Sequence, residues 1–157
     1  MQRNTASIFS NDRRTEFKMK LLGVDYGEAR TGLAYSDALG LYAVGMGNIK
    51  SYDMEKTALD IARKAKEIGA QTIVIGKPVN MNGTFGEKVE KVQKLGELIH
   101  QHTDLHIEFF DERMTTVRAH QILQESGVRA KKRKPIIDSL AAELILQGYM
   151  DMQRNKH

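Results

Sequence analysis

The sequence predicts one α/β domain. Its expected core is a mixed five-stranded sheet, with the first three strands antiparallel, later strands added through parallel crossovers, and helices on both faces. Three observations carry this prediction. Five short apolar runs have strand length and are bounded by turn-forming residues. Segments with apolar residues at helical spacing separate the later runs. A strand reached through a helix must cross over, which makes it a parallel neighbour. A chain of 157 residues suits one such domain.

Residues 1–18, MQRNTASIFSNDRRTEFK, are polar and show no sustained period. They are expected to form a flexible extension ahead of a domain covering 19–157. KLLGVDY (20–26) is an apolar run closed by Gly27, and RTGLAYSD (30–37) follows after a short turn. LYAVGMGNI (41–49) reads as a third strand weakened by glycines. Residues 53–69 are helical: Met54, Ala58, Ile61, Ala62, Ala65 and Ile68 share a face, and Gly69 suits the C-terminal cap. QTIVIG (71–76) is a short buried strand. The Pro, Asn and Gly content of 77–86 marks a loop. The next helix carries Val89, Val92, Leu95 and Ile99 on one face, and LHIEFFDE (105–112) is the fifth strand. A helix ending at Gly127, a basic loop and a last helix from Ile137 complete the order.

Composition narrows the function. The absence of cysteine removes disulfides and thiolate metal sites and suits a reducing cytoplasm. No apolar run approaches the roughly 18 residues of a membrane span, and no signal-peptide core opens the chain. The expectation is a soluble, cytoplasmic protein. Net charge is +4, but the first 18 residues hold four basic and two acidic residues, which leaves the body at only +2. Nucleic-acid binding would therefore need a local patch. Such a patch is RAKKRK (129–134), with five basic residues in six. Lys131, Lys132 and Arg133 would neutralise phosphates without reading sequence; the alternative is a solvated loop.

The acids suggest chemistry. Asp25 ends the first strand, Asp111 and Glu112 end the last, and Asp138 opens the final helix. Ligands gather at the carboxyl ends of strands in open α/β sheets, and the first and last strands would run parallel. Clustered carboxylates repel unless protons are retained or a cation sits between them. Hard oxygen ligands suit Mg²⁺ or Mn²⁺, which can activate water in phosphodiester hydrolysis. Structural roles stay open: an Asx turn at Asp25, pairing of Asp111 or Glu112 with Arg113, and a helix-dipole role at Asp138. Asp25 is the hardest to explain that way, because an unpaired charge in an apolar strand costs several kcal/mol.

Four stretches, GVDYGEARTGLA, VIGKPVNMNGTFGE, FFDERMTTVRA and IIDSLAAELILQGY, resemble in order and spacing the bacterial YqgF family, the Holliday-junction-resolvase-like group associated with pre-16S ribosomal RNA processing. The resemblance covers residues 20 to about 151. It implies an RNase H-like fold and a divalent-metal-dependent endonuclease, with Mg²⁺ or Mn²⁺ as cofactor and the 5′ end of pre-16S ribosomal RNA, free or on the ribosomal precursor, as substrate. Carried over by residue, Asp25, Glu112 and Asp138 would be the catalytic metal ligands, with Asp111 the alternate to Glu112. Alternation along a strand turns only one of that pair inward.

Asn80, Asn82 and Arg113 would join the basic loop in contacting the nucleic-acid backbone. An ordinary turn with Thr84 as the helix cap is the competing reading of 77–86. Other functions remain in view: a Holliday-junction resolvase or other DNA nuclease, which would act as a dimer, and a non-catalytic RNA-binding or transcription-regulating module. The expected partners are RNA, with DNA as the alternative, and no membrane; the expected state is a monomer or weak dimer.

Overall fold

The computed structural model describes residues 19–79, 86–115 and 139–156. Five strands form one sheet in the order β3-β2-β1-β4-β5. They are β1 (Leu21–Asp25), β2 (Arg30–Ser36), β3 (Ala43–Lys50), β4 (Thr72–Lys77) and β5 (His106–Asp111). β1 pairs antiparallel with β2, and β2 antiparallel with β3. β1 pairs parallel with β4, and β4 parallel with β5. The described helices are α1 (Met54–Ile68), α2 (Glu87–His100) and α3 (Leu140–Asn155).

The residue pattern sets the layers. Leu22, Val24, Ile73 and Ile75 alternate onto one face and are buried with Ile61 and Ala65 of α1 and Val92, Leu95 and Ile99 of α2. Leu21, Val74 and Phe110 take the other face, against Ala142, Ile145, Leu146 and Tyr149 of α3. The sheet thus lies between α1 and α2 on one side and α3 on the other. Burying Ile145 and Leu146 alone stabilises this second layer by about 1.5–3 kcal/mol each. Gly23 lets α3 approach: a Cβ there would stand 2.8 Å from Leu146 Cβ. α1 starts with Asp53 accepting from Glu55 N–H and stops at Gly69 in the left-handed conformation, φ 71°.

α3 is fixed to the edge strand β3 and to the turn before it. Near its N-terminus, Ser139 Oγ accepts from Gly47 N–H at 2.7 Å and donates to Gly47 C=O at 2.9 Å. Gly47, with φ +87°, sits where the β2–β3 register shifts, a bulge. From the middle of the helix, the buried Gln147 side chain accepts from Ala43 N–H at 2.9 Å and donates to Leu41 C=O at 3.0 Å and Asp151 Oδ1 at 3.2 Å. Arg154 donates to Gly40 C=O and pairs with Asp151.

Three boundaries depart from the sequence reading. β3 begins at Ala43, since Leu41 and Tyr42 lie exposed in the turn. β5 ends at Asp111, and Glu112 opens a 3₁₀ turn running to Met114. α2 is capped by Gly86, without a side-chain cap bond. Residues 1–18, the 77–86 loop from Asn80 to Phe85, the helix expected before Gly127 and the basic loop lie outside the described residues.

Candidate active site

The carboxyl ends of β1, β4 and β5 share one edge of the sheet, because these three strands run parallel. Asp25 ends β1 and follows Val24, which is level with Ile75, so Asp25 is level with Gly76. Leu21 and Gly23 face α3, and alternation places Asp25 on that face too. Glu112 reaches the same place from beyond β5. A Cβ on Gly76 would stand 2.9 Å from Glu112 Oε2 and 2.4 Å from Ile145 Cδ1. A side chain at position 76 would make the ends of both Ile145 and Glu112 shift, and glycine leaves them in place. Gly27 is also constrained by space: a Cβ there would meet Arg30 C=O at 2.3 Å, closing the tight β1–β2 turn to any larger residue.

The electrostatics follow from this crowding. Burial raises the Asp25 pKa above the ordinary carboxylate value, partly offset by the Lys88 ammonium. Burial also raises Glu112; the Asp25 and Asp111 charges push it further up, and Lys88 again opposes them. Among the described residues, neither carboxylate forms an ion pair or accepts a hydrogen bond. Lys88 is one turn before Lys91 on α2, and Lys91 pairs with Glu28 of the β1–β2 turn at 2.5 Å. That bridge holds the start of α2 beside the end of β1.

Asp111 is held differently. Phe110 packs toward α3, whereas Phe109 packs on Gly96 of α2, so alternation turns Asp111 toward the α2 face. Its carboxylate accepts from Arg113 N–H at 2.9 Å and from Arg113 Nη2 at 2.7 Å. These bonds hold its pKa below the ordinary value. Thr115 Oγ1 donates to Glu112 C=O at 2.9 Å, closing the turn.

The structure therefore brings Asp25 and Glu112 together and engages Asp111 with Arg113. Asp138, Asn80, Asn82, Lys131, Lys132 and Arg133 lie outside the described residues. No group of three or more potential metal-ligating residues occurs among the described ones. Two residues escaped the sequence reading. Lys88 looks like any first-turn lysine. Glu143, on the first turn of α3, is pushed up to about 7 by burial, and a Cβ on Gly45 of β3 would stand 2.6 Å from its Oε2. Sequence alone gives no sign of that contact across 98 positions.

This fold and its edge-sited acids define a protein of the RNase H-like resolvase architecture. RuvC of Thermus thermophilus, solved in complex with a Holliday junction substrate, superposes with a TM-score of 0.62 at 13% identity, over 88% of this chain and 96% of that one. The fowlpox virus resolvase, solved with Holliday junction DNA, gives 0.53 at 12% identity, over 85% and 98%. At these identities the likeness concerns the fold. The family model described as RuvX, Holliday junction resolvase, matches residues 19–152. The chain is 43% identical over 134 residues to a Ruminiclostridium cellulolyticum protein named "Putative pre-16S rRNA nuclease", covering 85% of this chain and 94% of the relative. A Clostridium perfringens protein of the same name is 46% identical over 133 residues, covering 85% and 97%. The chain belongs to the RuvX (YqgF) family and is, with it, a phosphodiester-hydrolysing enzyme.

Proposed function

We propose that this chain is a divalent-metal-dependent endonuclease that processes the 5′ end of pre-16S ribosomal RNA. The observation that carries the reading is the meeting of Asp25 and Glu112, both raised in pKa, at the carboxyl edge of the sheet. Two half-buried carboxylates that repel each other and have no cationic partner in contact among the described residues are suited to a hard cation. Asp25 and Glu112 would hold Mg²⁺ or Mn²⁺, with Asp138 as the third acid, next in the chain to the anchored Ser139. Such an ion supplies charge neutralisation and water activation for phosphodiester hydrolysis.

The chain's own groups do the rest. Lys88 favours ionised Asp25 and Glu112, the form that binds a cation. Gly76 keeps the floor between β1 and β5 low. Asn80, Asn82, Arg113 and the cluster Lys131, Lys132 and Arg133 would hold the backbone of the strand.

The test uses purified full-length protein with Mn²⁺ or Mg²⁺ and an RNA carrying the 16S leader junction. Asp25→Asn should lower cleavage roughly 10³-fold, reflecting several kcal/mol of lost charge stabilisation. A second readout is thermal. A raised folded pKa means the charged Asp25 destabilises the metal-free fold at neutral pH. Asp25→Asn should therefore raise the metal-free Tm while losing the rise in Tm that the ion gives the parent protein. Equal cleavage, or an undiminished metal-induced rise, would remove Asp25 from the site.

A second reading is a Holliday-junction resolvase, favoured by the description of the matching family. Junction-selective cleavage of four-way DNA by a stable dimer would establish it over RNA processing by a monomer or weak dimer.

A further inference from the structure

The far side of the site carries the features of a strand track. Asp25 pairs in register with Gly32 of β2, and Gly32 with Asn48 of β3. One step beyond that row, Arg30 pairs with Lys50, and both side chains are exposed. Alternation places Arg30, Gly32, Asn48, Lys50 and Asp25 on one face. With strands about 4.8 Å apart, β3 lies roughly 10 Å across the sheet from Asp25. This face therefore runs from the acidic pair, past Gly32 and Asn48, to the cations Arg30 and Lys50.

Next to Lys50 stands Tyr52, 89% exposed. A lone exposed tyrosine is ordinary, but this one is carried on a fixed corner. Ser51 N–H donates to Ala29 C=O at 3.1 Å, tying the corner to the β1–β2 turn that follows Asp25. Asp53 N–H donates to Ser51 Oγ at 3.0 Å, and Asp53 caps α1. The backbone on both sides of Tyr52 is thus held, while its ring meets solvent at the catalytic edge.

We infer that Lys50 and Tyr52 form a subsite for a single-stranded stretch of the nucleic acid being cut: a base stacks on Tyr52, and a neighbouring phosphate is neutralised by Lys50. Aromatic stacking tolerates any base, and a cation beside the ring follows the backbone. The inference rests on the nuclease reading for why a strand comes to this edge. A duplex offers no unstacked base to the ring, so the subsite prefers substrate melted or unpaired next to the cut.

The test measures binding by fluorescence anisotropy, without divalent ions, using a short labelled oligouridylate, its deoxy counterpart and a duplex. Tyr52→Ala should weaken single-strand binding about tenfold, with Tyr52→Phe close to the parent and duplex binding little changed. Lys50→Ala should reduce the slope of log K against log salt by about 0.7 on single strands. The RNA and DNA arms tell which strand the subsite takes. Unchanged single-strand binding by Tyr52→Ala, or an equal loss on the duplex, overturns the inference. Cleavage by the parent protein is measured alongside. Cutting with binding indifferent to Tyr52 defeats the subsite alone. Tyr52-dependent binding without cutting supports the subsite and defeats the nuclease reading, and no strand binding at all defeats both.

Discussion

The two ends of α3 treat buried acid in opposite ways. Near its C-terminus, Asp151 is buried but ion-paired: Oδ1 is taken by Gln147 and Arg154, while Oδ2 has no hydrogen-bond partner among the described residues. Around its N-terminus, Glu143, Asp25 and Glu112 are half-buried and have no cation in contact among the described residues, and burial raises all three. The first arrangement fastens the β2–β3 hairpin to the helix. The second leaves charge under tension, which costs stability and is relieved by a proton or a cation. Burial by itself does not mark a working acid; burial without a partner does.

Breaking the compensated end should give the larger loss of stability. Arg154→Met leaves Asp151 without its cation, and removing one partner of a buried pair costs about 3–5 kcal/mol. Arg154 is partly exposed, so about 3 kcal/mol is expected, read as a lower urea midpoint with an unchanged slope. Cleavage per folded molecule should not change. Lost cleavage with unaltered stability would reverse the roles assigned to the two ends.

Glu143 sharpens the other side. Its folded pKa lies above the unfolded value, so the folded state keeps the proton longer. Stability should fall as pH rises from about 4.5 to about 7 and stay lower above that range. Glu143→Gln removes this penalty. Its Tm should match the parent near pH 4.5 and exceed it at pH 8. Equal Tm differences at both values would show that the carboxylate does not titrate there.

The smallest expected effect belongs to Lys88. It lowers the pKa of both Asp25 and Glu112, so Lys88→Met should move the acidic limb of the pH–rate profile to higher pH. Lys88 is exposed, so that displacement should shrink at high ionic strength. An unmoved limb would assign the profile to other groups.

Much of this was legible in the chain. The run Leu21–Asp25, the helical spacing from Ala58 to Ala65 and the stop at Gly69 each follow from local chemistry, and the alternation of such segments gives the mixed sheet with parallel crossovers. Where local chemistry misleads, the cause is tertiary. Leu41 and Tyr42 look like strand residues, yet Gln147, more than 100 positions away, binds the backbone at Leu41 and Ala43 and sets the strand start. Of the site, Glu112 was legible as an acid at the end of the last strand, but its approach to β4 depends on the 3₁₀ turn beyond β5 and on the space at Gly76, which only the fold reveals. Glu143 depends on α3 docking against Gly45, which no local pattern encodes. The Lys88 field depends on the Glu28–Lys91 bridge across 63 positions.

The Ser139–Gly47 contact has a consequence for assembly. β3 ends the sheet, and an unpaired strand edge invites another chain to add itself. A single hydroxyl occupies both the amide and the carbonyl of Gly47, at a bulge that already breaks the regular ladder. The same bond that seats α3 near the acids thus also blunts this border of the sheet against the addition of another strand.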